Sequence, residues 1–228
     1  MPARVRFHEE LEQLELQVLG TGELAERAVG RAVDALVRRD AGEALAVVAA
    51  DDEVDARYLD TERRALELLA LQTPVAVDLR LISAILHANL HLERVADIAV
   101  NIAKISLSVR HLPSSSSVLA HLHEMGDIGR GMLRTALEAF ARRDLALCLR
   151  LPRMDDPVDR LNLRMYGHVA ALAGDPAMLE WGLRMTIVAR QLERVADHAV
   201  DIAEQVGFLL TGEFREFTDA SHPEATGG

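Results

Sequence analysis

Apolar residues recur at three- and four-residue spacing along nearly the whole chain, the period of a helix that buries one face. The pattern breaks in few places. Pro113 with Ser114 to Ser117 interrupts it at the midpoint, and the stretch from about Phe214 to Gly228 is polar and Gly-rich, the composition of a disordered tail. Between these marks the spacing predicts six helices. Three are roughly His8–Arg38, Glu43–Leu71 and Pro74–Arg110; the others are roughly Val118–Arg142, Leu145–Ala173 and Pro176–Leu210. Asp40 and Asp144 stand where they would cap the middle helices. Thr73-Pro74 and Asp175-Pro176 each read as an N-cap followed by a first-turn proline. Gly20 and Gly22 each weaken the first helix by about 1 kcal/mol against Ala, which predicts a kink. Short turns between long helices make antiparallel neighbours, so each half is expected to be an up-down-up bundle with its own core.

The two halves match. His91-Leu-Glu-Arg-Val-Ala-Asp-Ile-Ala-Val-Asn-Ile-Ala-Lys104 is repeated, with most positions identical, as Gln191-Leu-Glu-Arg-Val-Ala-Asp-His-Ala-Val-Asp-Ile-Ala-Glu204. Upstream, Arg38-Arg39-Asp40 precedes Asp51-x-x-Val-Asp55 by the same spacing that separates Arg142-Arg143-Asp144 from Asp155-x-x-Val-Asp159. Two matched blocks in one order mean a duplication. The fold class that follows is all-α: two tandem, pseudo-symmetric three-helix bundles. The first spans residues 1–112, a Ser-rich linker spans 113–117, the second bundle spans 118–213 and the tail 214–228.

Each copy carries a stripe of polar residues at four-residue spacing, Glu93, Asp97 and Asn101 in the first and Glu193, Asp197 and Asp201 in the second. At about 100° per residue each trio keeps to one face, opposite Val95, Ile98 and Ile102, and so is expected to face water or a partner. Asp51 with Asp55, and Asp155 with Asp159, form the same i,i+4 spacing on the middle helices. Counting from the first hairpin turn, Asp51 lies about 21 residues before it and Glu93 about 20 after, nearly the same height at a rise of ~1.5 Å per residue. The second half keeps that register with both arms about two residues shorter. Like charges one turn apart repel, and a hard or borderline cation with oxygen ligands removes the repulsion. The plain alternative is a solvated face on which Arg94 and Arg194 pair with Asp97 and Asp197.

At these residues the chain resembles the PhoU family of phosphate-signalling regulators. Leu92-Glu93-Arg94-Val95-Ala96-Asp97 and Leu192-Glu193-Arg194-Val195-Ala196-Asp197 carry the resemblance, together with the two Asp-x-x-Val-Asp pairs and Asp78-Leu79-Arg80. It covers about residues 5–212; Asp78-Leu79-Arg80 has only Leu183-Arg184 as a fragmentary counterpart. The resemblance implies a negative regulator of the phosphate-starvation response, an adaptor between a phosphate ABC transporter and a sensor histidine kinase, and a homodimer. It also implies surface iron or zinc clusters held by Asp51, Asp55, Glu93, Asp97 and Asn101, then by Asp155, Asp159, Glu193, Asp197 and Asp201. Asn101 is the weaker ligand, so the first set is expected to bind less tightly. The other reading of the same residues is a metal-binding bundle for iron or zinc storage or homeostasis, with no role in phosphate signalling.

Composition narrows the function further. A formal net charge of −11 repels a phosphate backbone, which argues against nucleic acid as a partner and favours cations or basic protein surfaces. Cys148 is the only cysteine, so no internal disulfide forms, as suits a reducing compartment. The N-terminal stretch turns acidic before any apolar run and does not read as a secretory signal. No apolar run approaches the ~20 residues of a membrane helix. The expected location is cytoplasmic, with membrane association only through partners. No catalytic site is expected: none of the nine histidines has a Glu three residues before it, as a di-iron carboxylate enzyme requires, and there is no Walker-type phosphate loop. His87 and His91 lie off the carboxylate face without counterparts in the second half; His198 borders the second stripe where Ile98 stands in the first. Cys148, Tyr166 and Trp181 read as packing residues.

Overall fold

The computed structural model describes residues 3–71 and 74–217. Eight helices lie among them: α1 (Ala3–Arg38), α2 (Ala41–Ala49), α3 (Asp51–Leu71), α4 (Ala76–Val109), α5 (Ser116–Arg142), α6 (Leu145–Cys148), α7 (Leu151–Ala170) and α8 (Pro176–Thr211). The fold is all-α, with α1 to α4 in the first half and α5 to α8 in the second. Each predicted middle helix is broken once, after Ala49 and after Cys148. At the first break Ala50 remains in the right-handed region and its N–H is shared between the carbonyls of Ala46 and Val47. The second is spanned by Leu149 and Arg150, with Pro152 entering the first turn of α7, where a missing N–H does no harm.

The caps follow the expected chemistry where they can be seen. Asp40 accepts from the N–H of Glu43, Asp144 from Ala146 and Leu147, and Asp175 from Ala177 and Met178 behind Pro176. Thr73 lies outside the described residues; Pro74 precedes α4, whose N-cap is Val75 without a side-chain bond. Ser115 caps α5, so Ser116 and Ser117 already belong to that helix and the connection between the halves is shorter than the serine run suggests. Helix α1 runs unbroken through Gly20 and Gly22. A Cβ on Gly22 would come within 2.6 Å of the Leu137 side chain on α5, so this position is set by the close approach of two helices.

The halves do not keep separate cores. One apolar cluster runs from Leu14, Val18 and Val29 on α1 through Ile85, Leu92 and Ile102 on α4 to Met132, Leu133, Val188 and Val195 on α5 and α8. Helix α4 packs along α8, and α1 along α5, so the four long helices form the centre while α2–α3 and α6–α7 cover the two outer sides. Charged pairs mark the α1–α5 seam: the Glu26 carboxylate, 12 % exposed, accepts from Arg130 at 2.8 Å and Arg134 at 2.5 Å. Trp181, 2 % exposed, borders a small cavity with Leu36, Val109 and Leu119, where the end of the first half meets the start of the second. Cys148 is buried, and burial pushes its thiol up to about 11, so it behaves as a small apolar residue. Of the expected tail, Phe214 stacks on Phe208 at 3.8 Å and Phe217 folds back against the core, donating its N–H to Glu204. Residues 218–228 lie outside the described residues. No helix among the described residues is long and apolar enough to cross a membrane.

Candidate functional site

Antiparallel packing of α3 on α4 and of α7 on α8 turns the four acidic pairs into two clusters. In the first half, Asp51 is raised above the usual carboxylate range by burial and then by Asp55 and Asp97. Glu93 is raised by burial and then by Asp97, with Asp55 and Asp51 adding to it. In the second half, Asp155 is 7 % exposed and is pushed up to about 7, by burial first and then by Asp159, Asp197 and Glu193. Asp159 and Asp197 are raised as well, each by burial first and Glu193 next. The hairpin register thus brings each middle-helix pair against the stripe of the helix that follows it.

The stripe differs from a free acidic face in two respects. Glu93, Asp97, Glu193 and Asp197 are half-buried in the groove beside the middle helix, and Asp155 is buried outright. The arginine pairing is also asymmetric. Arg94 reaches Asp97 at 3.7 Å as expected, but Arg194 is exposed and forms no ion pair among the described residues. Arg190, one turn earlier, bonds Glu193 instead, and Asn162 donates to the same carboxylate at 2.7 Å. Arg190 before Glu193 and Arg194 before Asp197 have the same i,i+3 spacing, and Arg190 stands just ahead of the repeated block, so the repeated motif alone did not select the partner. Asn101 lies exposed at the end of its stripe. Asp201 turns away from its own cluster: its Oδ2 lies 3.3 Å from Nδ1 of both His91 and His198.

Three carboxylate oxygens of the clusters, Asp51 Oδ1, Glu93 Oε2 and Asp155 Oδ1, are buried and accept no hydrogen bond. Arg94 Nε stands 3.5 Å from Glu93 Oε2, whereas the Asp51 and Asp155 oxygens form no ion pair among the described residues; a buried unpaired anion is expensive, and either a proton or a cation answers it. An all-oxygen donor set of this kind fits a hard cation. Among the described residues, however, three ligand atoms lie within 4.8 Å of one another only at His91, His198 and Asp201. That triad was not legible in the sequence, because His91 meets its partners across the α4–α8 contact rather than along its own helix.

Comparison with known proteins bears on the fold and on its duplication. The PhoU domain family model matches residues 18–106 and 122–206, one match in each half. A phosphate-specific transport system accessory protein PhoU homolog of Caulobacter vibrioides is 36 % identical over 208 residues, covering 91 % of this chain and 90 % of the relative. The homolog of Pseudomonas putida is 33 % identical over 218 residues, covering 95 % and 83 %. The crystal structure of PhoU from Pseudomonas aeruginosa superposes with a TM-score of 0.86 at 32 % identity, covering 91 % of this chain and all of that one. The phosphate transport system regulatory protein PhoU from Streptococcus pneumoniae superposes with a TM-score of 0.83 at 28 % identity, covering 92 % of this chain and 99 % of that one.

Proposed function

The chain belongs to the PhoU family, and on that premise we propose that it is a negative regulator of the phosphate-starvation response. It acts as a cytoplasmic adaptor, homodimeric and without catalytic activity of its own, between a phosphate ABC transporter and a sensor histidine kinase. The observation that carries this reading is the duplicated Glu-Arg-Val-Ala-Asp block, set in a family match that spans both halves. The relatives are named as accessory proteins of phosphate-specific transport. A chain with a net charge of −11 that presents two acidic grooves is electrostatically complementary to basic patches on a partner, which favours correct encounter over wrong ones. Deleting the protein is expected to switch on phosphate-starvation genes in phosphate-replete cells. Unchanged repression in the deletion strain, with no second copy of the protein present, would overturn the regulatory reading.

The grooves also support iron or zinc binding. Asp51, Asp55, Glu93 and Asp97 would hold the ion in the first half, with Asn101 at the edge; Asp155, Asp159, Glu193 and Asp197 would hold it in the second, Asp201 being turned toward His91 and His198 instead. A bound cation would supply the positive charge that the unpartnered oxygens of Asp51 and Asp155 call for, and would add to Arg94, whose Nε lies 3.5 Å from Glu93 Oε2. Protein purified without chelator is expected to carry such an ion, and Glu193→Ala with Asp197→Ala to lose the part held by the second half. Metal content unmoved by that pair of substitutions would remove the proposed ligands while leaving the regulatory reading intact.

A further inference from the structure

We propose that His91, His198 and Asp201 form a separate binding site for one zinc-class divalent ion, which clasps the two halves together where α4 crosses α8. His91 belongs to the first half; His198 and Asp201, three residues apart on α8, belong to the second. The Nδ1 atoms of the two histidines are 3.2 Å apart, and each is 3.3 Å from Asp201 Oδ2. Ligands at about 2.0 Å around a tetrahedral ion stand about 3.3 Å from one another, so the three atoms match one face of such a tetrahedron. Two imidazole nitrogens and a carboxylate oxygen are the donor set of a zinc site that keeps its fourth position open. The side chains of His91 and His198 are 19 % and 15 % exposed and that of Asp201 43 %, so the triad is reached by solvent through Asp201 more than through either histidine.

Hydrogen bonding alone does not explain the triangle. Three mutual contacts call for one proton on each edge. If both Nδ1 atoms carry protons, both can donate to Asp201, but the nitrogen–nitrogen edge is then donor against donor. If only one carries a proton, the other nitrogen sets its lone pair against the carboxylate. A cation placed against three lone pairs satisfies every edge at once and puts each imidazole proton on Nε2, which in His198 is buried without an acceptor.

The repeat provides an internal comparison. By the duplication, His91, His198 and Asp201 correspond to Gln191, Ile98 and Asn101, none of them a strong metal ligand. Gln191 Oε1 is buried without a hydrogen bond, so that position has no compensating network either. The triad is therefore built on one side of the pseudo-symmetric molecule, at residues that the duplicated motif does not share. The proposal does not rest on cation binding by the carboxylate grooves.

The comparison also supplies the variants. His91→Gln and His198→Ile each install the residue that the other half tolerates at the equivalent position. The test is titration of the chelator-stripped full chain with cobalt(II), whose visible absorption reports four-coordinate sites, followed by displacement with zinc. The expected result is a band saturating at one ion per chain and displaced by zinc. Its affinity should fall about tenfold or more in either histidine variant, as for loss of a ligand or its close support. It should survive in Glu93→Gln with Asp97→Asn, and in Glu193→Gln with Asp197→Asn. In a chain carrying Glu93→Gln, Asp97→Asn, Glu193→Gln and Asp197→Asn together, zinc should still raise the melting temperature, and adding His91→Gln should abolish that rise. If His198→Ile fails to fold, His91→Gln decides alone. Absence of a band, or a band of equal affinity in the histidine variants, would overturn the site whatever the groove variants show.

Discussion

Replacing Asp155 with Asn is expected to stabilise the metal-free protein at about pH 8 and to flatten its stability between about pH 4 and pH 7. Asp155 is 7 % exposed, and burial followed by Asp159, Asp197 and Glu193 pushes its carboxyl from 3.8 to about 7. In the unfolded chain the group returns to about 3.9. Between those values the folded protein holds a proton that the unfolded chain has released, so stability falls as pH rises through the window. The stabilising contribution is complete below about pH 4 and lost above about pH 7, a change of roughly 2–4 kcal/mol. Asparagine keeps the shape and cannot ionise. Denaturant unfolding of both proteins in chelator across this range checks the claim. A native stability that does not fall with pH, or an Asn variant no more stable at about pH 8, would contradict it. Asp51, Glu93, Asp159 and Asp197 are raised as well, so the variant retains a smaller slope of the same sign.

Trp181→Ala is expected to destabilise the protein by about 3–5 kcal/mol, the range for emptying a large buried aromatic site. Trp181 sits on α8 but borders residues of α1, α4 and α5, so its loss opens the core where the halves join. The surroundings have limited room to collapse, because they are ends of long helices fixed elsewhere along their length. Tyr166→Ala on α7, 66 % exposed, is the control and should change stability by less than about 1 kcal/mol. Thermal melts of the two variants separate the cases, and equal melting temperatures would show that the seam near Trp181 carries little of the fold.

The helices and their caps were legible because they depend on local chemistry: a 3.6-residue apolar period, and aspartates that accept from free N–H groups at Asp40, Asp144 and Asp175. The acidic clusters were legible because the duplication wrote them twice and hairpin counting set their heights. What escaped was tertiary. Nothing in the period distinguishes a helix that restarts at Asp51 from one that runs through it. The burial of Asp155 depends on how α7 settles on α8, and the sharing of one core depends on faces of α4 and α8 that the repeat alone presents as equivalent surfaces. His91 and His198 lie 107 residues apart and are joined by packing between halves, a contact that no spacing along one helix reveals.

Arg39 and Arg143 occupy the same place in the two repeats, and both adopt left-handed backbone with φ of 57° and 54°. A non-glycine residue there carries a conformational penalty of about 1–2 kcal/mol, which glycine would avoid and the guanidinium offsets. That of Arg39 donates to the carbonyls of Arg110 and Leu112 and reaches Ser114, while that of Arg143 bonds Phe140 and Glu15. The crossing from one half to the other is therefore stapled to the end of α1 by Arg39, through the carbonyls of Arg110 and Leu112, and behaves as a strut rather than a tether. A bundle joined by a strut cannot signal by swinging its halves apart on a loose joint. With these bonds kept, a second state of this molecule is a repacking of helix against helix, with the rows of side chains between α4 and α8 moving from one seating to another.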